Sequence, residues 1–192
     1  MDQEIPCPLC TQPIDISGTP LAALDVIIRH KALRDLIDDF GNDAKLPPVL
    51  EKKGILGNTT SRRPGDVTFE KWAEGKGLAI DVAITSPLAA TYVRNKEPCE
   101  WYAATQKHGK YDAIFAGTDY LFSAVVFETL GAINTEGEEL LRMIFRFASK
   151  RLGREFTSYC GRAWARISCN LQRSVSQAIL TRIDGNEFSE DL

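Results

Sequence analysis

The chain has 192 residues and a mass of 21.3 kDa, with 44% hydrophobic and 26% charged residues, enough for one domain with a full core; this excludes a fibre and a wholly disordered polymer. Its formal net charge of -3 conceals a steep asymmetry. Residues 142 to 182 hold nine Lys/Arg against a single acid, Glu155, for a local charge of +8, and the remainder sums to -11. Solvated faces usually mix both signs, so a basic C-terminal segment joined to an acidic remainder is a reason to consider a polyanion partner.

Five cysteines, an odd number, and a first stretch with no apolar signal-peptide core lead us to expect an intracellular, reducing compartment, nucleus or cytoplasm. The longest apolar run, Tyr120 to Phe127, is strand length, well short of the roughly 18 residues of a membrane span, so a soluble protein with no membrane contact is expected.

In chain order, residues 1–18 are rich in Pro, Cys and Gly without periodicity and read as an irregular arm. Thr19-Pro20 is a helix-start pair, a capping hydroxyl followed by proline at the first helical position. Ala22, Val26, Leu33, Ile37 and Phe40 then recur at helical spacing up to Gly41, opposite a charged face with His30, Lys31, Arg34, Asp35 and Asp38. Pro47-Pro48 stops the helix, and Val49 to Glu51 suits a short strand. Asp66 to Phe69 alternates polar with apolar, as a half-buried strand does. After the turn Glu74 to Gly77, Leu78 to Ile84 alternates again, with Ile80, Val82 and Ile84 on one face and Asp81 and Ala83 on the other. Glu97 to Lys107 suits a helix, and Leu121 to Glu128 reads as an interior strand. Thr135, backed by Glu136, Glu138 and Glu139, opens a helix with the stripe Leu140, Leu141, Ile144, Phe145, Ala148 and Leu152; a last helix spans Glu155 to Ile183. The expectation is an α/β fold, a small mixed β-sheet flanked by helices: an arm (1–18), a core (19–154), and a basic helix packed on that core with a short acidic tail (155–192).

The most informative residues are the two aspartates of the Asp66 and Asp81 strands. Opposed positions in a sheet lie about 4.5–5.5 Å apart, so carboxylates there repel unless a cation separates them. Oxygen ligands of this kind suit Mg²⁺ or Mn²⁺, which take one or two carboxylates and fill the other positions with water and phosphate oxygens. Asp66 also reads as a turn residue beside Pro64-Gly65. Asp81 is harder to explain away, because aspartate is disfavoured in strands and this one interrupts an apolar run.

Asp, a hairpin, then Asp/Glu-x-Lys resembles the core of the PD-(D/E)xK nuclease superfamily, here as Pro64-Gly65-Asp66 and Asp81-Val82-Ala83. The longer run from Arg62 through Trp72 to Leu88, together with an upstream helix containing Arg29-His30-Lys31, is similar to nuclease-like regions of reverse-transcriptase-bearing eukaryotic retroelements; the resemblance covers roughly residues 28 to 150. It implies a restriction-endonuclease-like core, Asp66 and Asp81 as ligands of Mg²⁺ or Mn²⁺, and hydrolysis of DNA phosphodiester bonds as an endonuclease or structure-selective nuclease, leaving 5′-phosphate ends. Glu51 matches a third acid, or belongs to the solvated cluster Glu51-Lys52-Lys53.

The departure is at Ala83, where the superfamily has its lysine. Some members supply that cation from the following helix, and Gln106, Lys107 and Tyr111 resemble the relevant element, so Lys107 is expected to replace the lysine, with Gln106 and Tyr111 in support; Glu128 either supports it by orienting Lys107 or faces solvent at the end of its strand. If Lys107 is a surface lysine instead, the chain is a catalytically inactive nuclease-fold module that binds nucleic acid or partner proteins.

Arg62, Arg63, Arg162, Arg166 and Arg173 are the candidate nucleic-acid contacts, with DNA as the partner. Cys7-Pro8-Leu9-Cys10 is a Cys-x-x-Cys pair that could hold Zn²⁺ with His30 and organise an interaction domain, or could be a degenerate arm. The oligomeric state is open, a homodimer among the options.

Overall fold

The computed structural model describes residues 20–56, 64–87 and 97–187, and their side chains except those of 20–27, 179 and 181–187. Thr19, Cys7, Cys10, Arg62, Arg63 and the acidic tail lie outside the described residues.

The chain runs through helix α1 (Pro20–Asp43), strands β1 (Pro48–Leu50), β2 (Val67–Ala73) and β3 (Lys76–Thr85), helices α2 (Pro98–Tyr102) and α3 (Gly109–Phe115) joined by a π-helical turn (Ala103–His108), strand β4 (Tyr120–Glu128), and helices α4 (Thr135–Arg151) and α5 (Phe156–Glu187). The four strands form one mixed sheet in the order β1-β2-β3-β4, antiparallel except for the parallel β3–β4 pair, which is connected through α2 and α3. The expected small mixed sheet flanked by helices is thus present.

Period-two alternation sends Val67, Phe69, Leu78, Ile80, Val82, Val125 and Phe127 to one face, where they pack with Leu33, Ile37 and Phe40 of α1 and with the stripes of α4 and α5 into the main core. The other face carries Ala79, Ala83, Ala124 and Val126 beneath α2, the π turn and α3. Thr68 is fully buried although the alternation gives it to the polar side, so the first half of β2 lacks the solvent-facing side its pattern suggests, whereas Glu70, Lys71 and Ala73 are exposed.

The apolar run of β4 also misleads, since β4 is an edge strand; it reads as interior because helices cover both of its faces. Asn134 occupies its outer edge like a fragment of a fifth strand: Oδ1 accepts from the Val126 amide at 2.8 Å and Nδ2 donates to the Ala124 carbonyl at 3.0 Å. This protects the unpaired backbone groups that make edges prone to aggregation. Glu155 caps α5 by accepting the amides of Thr157 (2.7 Å) and Ser158 (2.5 Å). No helix among the described residues is long and apolar enough to cross a membrane.

Candidate active site

The hairpin register decides whether the two aspartates meet. Glu74 and Gly75, with φ of 53° and 76°, form a two-residue turn of the kind that suits the right-handed twist of a hairpin, and Ala73 pairs with Lys76 across it. Continued without interruption, that pairing would set Asp66 opposite Ala83. An irregularity between Phe69 and Ala73 places three residues of β2 against Gly77 alone, and beyond it Val67 pairs with Ile80. The bulge thus brings Asp66, one residue before β2, opposite Asp81.

Each carboxylate is then fixed by a basic side chain from a different layer. Asp66 Oδ2 accepts from the Val82 amide at 2.7 Å and meets His30 Nε2 of α1 at 3.1 Å. Burial pushes the Asp66 carboxyl upward, but His30 and the Val82 amide more than offset it and hold it below its ordinary value. The same hydrogen bond holds His30 above its ordinary value against the opposing effect of burial. Across the sheet, Lys107 Nζ lies 2.5 Å from Asp81 Oδ2, and the two side chains are only 16% and 13% exposed. Burial pushes Asp81 up to about 6 despite Lys107, with the Asp66 charge adding to the rise. Burial opposes the Lys107 charge, yet Asp81 keeps its ammonium above the ordinary value.

Lys107 reaches this position because Ala103, one turn earlier, is buried on Ala83, Cys99, Ala124 and Val126, and small side chains let the helix lie close to the sheet. The π turn from Ala103 to His108 directs Lys107 inward beside the Tyr102 ring, 5.7 Å from its centroid; such turns recur at functional sites. Gly109 does not end the helix, since its backbone remains right-handed helical. His30, Glu51, Asp81, Ala83, Tyr102 and Lys107 all line one open cavity of about 290 Å³.

Glu51 lines the cavity, but its carboxylate accepts from Arg34 Nη1 at 2.7 Å. It sits at φ 46°, an uncommon conformation for a residue with a side chain, while its amide donates to the Asp66 carbonyl at 2.9 Å. Gln106 is exposed and bonds Thr105. Tyr111 packs with Phe115 and Phe122 rather than with Lys107. Glu128 neighbours Cys99, whose thiol is pushed up to about 12 by burial and by that carboxylate. These three supporting positions therefore fall outside the Asp66–Asp81 centre. His30 is engaged by Asp66, and its role with Cys7 and Cys10 falls on undescribed residues. Arg162, Arg166 and Arg173 are exposed on α5, and Arg166 meets Asp39 at 2.5 Å. Trp72 stacks on Phe69, 5.7 Å between centroids.

The sequence reading missed His30 as the partner of Asp66, Arg34 as the partner of Glu51, and Tyr102. The signal was present in part: His30 and Arg34 are four apart on the charged face of α1, so one helical face presents both cations to the start of the hairpin.

Among the described residues no cluster of three or more His, Cys, Asp or Glu has the arrangement of a metal site. The pair itself fits a hard cation: Asp81 Oδ2 is buried with no aligned hydrogen bond among the described residues, the charge it meets being Lys107. The chain matches no protein-family model and no curated protein.

Proposed function

We propose that the chain is a nuclease of the PD-(D/E)xK kind, with a restriction-endonuclease-like core, that hydrolyses DNA phosphodiester bonds with the help of Mg²⁺ or Mn²⁺. The observation that carries this reading is the meeting of Asp81 with Lys107 of the following helix in one cavity, with Asp66 opposite Asp81 and held by His30 of the cavity wall. Asp66 and Asp81 would hold the cation, which when bound offsets charge on a phosphate and makes water more acidic. His30 keeps Asp66 ionised and fixes one of its oxygens, leaving the other for a ligand. Lys107 supplies the positive charge that Ala83 lacks, orienting water or a phosphate oxygen. The Arg34 pair keeps Glu51 at the cavity wall, where it can accept a hydrogen bond from a ligand or water.

A second reading, a nuclease-fold module that binds nucleic acid without cutting it, is favoured by one observation: His30 and Lys107 already balance both carboxylates. Incubation of the protein with plasmid, branched and single-stranded DNA in Mg²⁺ or Mn²⁺, beside Asp81→Ala and Lys107→Ala, separates the two. Cleavage by the wild type and its loss in both variants supports the nuclease. Retarded DNA with no cleavage in any condition supports the module, and cleavage by Asp81→Ala at the wild-type rate would sink the site described above.

A further inference from the structure

A second concave site lies between α1 and α5, away from the two aspartates. Phe40 and Asp43 of α1, Arg154 of the α4–α5 turn, and Tyr159, Arg162 and Arg166 of α5 line a cavity of about 110 Å³. Resting on the reading that the chain acts on DNA, we propose that this cleft is a phosphate-anchoring site for the duplex backbone, separate from the Asp66–Asp81 centre.

Most of the charge near the cleft is committed. Arg166 lies over the Phe40 ring, 5.1 Å from its centroid, and meets Asp39. Asp43, the carboxylate in the lining, accepts the Tyr159 hydroxyl at 2.8 Å, and Arg151 Nη1 donates to the Asn42 and Asp43 carbonyls at 2.7 and 3.0 Å. The guanidinium groups of Arg154 and Arg162 form no hydrogen bond or ion pair among the described residues. Two uncommitted guanidinium groups in one concavity can bind an anion together, and the forked donors of arginine match phosphate oxygens.

The cleft is far below the roughly 300 Å³ at which small-molecule pockets begin, so it suits a single phosphate group of a larger ligand. Arg162, Arg166 and Arg173 fall within about 40° of one another around the α5 axis and span about 16 Å along it. A linear track of cations that begins in the cleft fits an extended polyanion. Phe40 and His30 belong to one helix, ten residues and so about 15 Å apart along its axis. At 3.4 Å per base pair, α1 would act as a ruler of about four to five base pairs between anchor and carboxylates.

Binding of a fluorescein-labelled duplex, measured by anisotropy in EDTA across a salt series, tests this without any cleavage. Loss of two phosphate contacts in Arg154→Gln/Arg162→Gln should flatten the slope of log K against log salt by about 1.8, so that the wild-type advantage shrinks about twelvefold between 50 and 200 mM salt. Arg154→Lys/Arg162→Lys should recover most of the slope. Arg142→Gln/Lys150→Gln removes two exposed charges from α4 and should leave the slope nearly unchanged. An equal loss in this control, or no loss in the cleft variant, overturns the proposal. So does inorganic phosphate binding that the cleft variant abolishes while duplex binding is unaffected. Because both cleft arginines are exposed, unchanged melting temperatures are expected. A cleavage failure with the slope effect intact would count against the nuclease and not the anchor.

Discussion

Replacing Lys107 with methionine keeps most of the side-chain length and removes the charge that Asp81 meets at 2.5 Å. Breaking a buried pair typically costs 3–5 kcal/mol, because the remaining charge stays uncompensated. Asp81 has an escape, since it already sits at about 6 and can take up a proton. In the variant its carboxyl moves higher and stays neutral in the folded protein near pH 7. The cost is then the favourable ionisation that the wild type retains, which grows with each pH unit above 6: on the order of 1 kcal/mol at pH 7, a few kcal/mol at pH 8, and close to zero at pH 5. The sign follows from the raised folded value. The contribution of Asp81 to stability is complete below its unfolded value of 3.8 and is lost as pH rises through about 6; in the variant that loss continues to higher pH. Urea denaturation of both proteins at pH 5, 6, 7 and 8 measures the difference. A destabilisation equal at pH 5 and pH 8 would refute an electrostatic pairing of Lys107 with Asp81.

His30 should titrate above its usual 6.5 in a proton NMR series, with a contribution to stability complete below 6.5 and lost as pH rises through its folded value, and Asp66→Asn should lower the midpoint; an unmoved midpoint would show that the 3.1 Å contact carries no weight. Asn134→Leu strands the Val126 amide and the Ala124 carbonyl at the β4 edge, so about 2–4 kcal/mol of stability should be lost in urea titrations, and a loss below 1 kcal/mol would mean that the edge is satisfied otherwise. Gly137→Ala introduces a Cβ 2.6 Å from Asn134 Oδ1 and 3.2 Å from the Val125 backbone; it should lower the melting temperature of the protein, and an unchanged melting temperature would indicate that Asn134 can yield.

The elements were legible where one period dominated. Ile80, Val82 and Ile84 opposite Asp81 and Ala83 could be read directly, because side chains alternate along a strand. The pairing of Asp66 with Asp81 could not, since the Glu74-Gly75 turn alone predicts Asp66 opposite Ala83 and the bulge that corrects it leaves no pattern of its own in Glu70 to Trp72. The stripe of α4 was equally plain, whereas the edge position of β4 was hidden because two-sided burial produces the same apolar run as an interior strand. Helical spacing put Lys107 beside Tyr111, but Tyr111 turns to Phe115 and Phe122, and it was the π turn that sent Lys107 to Asp81. The +8 segment was legible as composition, and so was the i,i+4 pair of Arg142 with Glu138, but the engagement of Arg166 by Asp39 and of Arg151 by the carbonyls of α1 was not, because those partners are distant in sequence.

On the proposed nuclease reading, the lysine missing at Ala83 and the lysine present at 107 are one change seen at two places. Asp81 and Ala83 point to the same side of β3, so a lysine at position 83 would emerge beneath the helix that follows. With alanine there, 6% exposed, Ala103 and Cys99 can pack directly on the sheet. That close approach lets the π turn deliver Lys107 into the cavity from above. Ala83 lines the same cavity as Asp81 and Lys107, so a lysine at 83 would compete with Lys107 for the space and the charge beside Asp81. On that reading the small residue at 83 lets the helix lie close to the sheet and leaves room for the cation it supplies, so the packing of Ala83 belongs to the site along with the charge of Lys107.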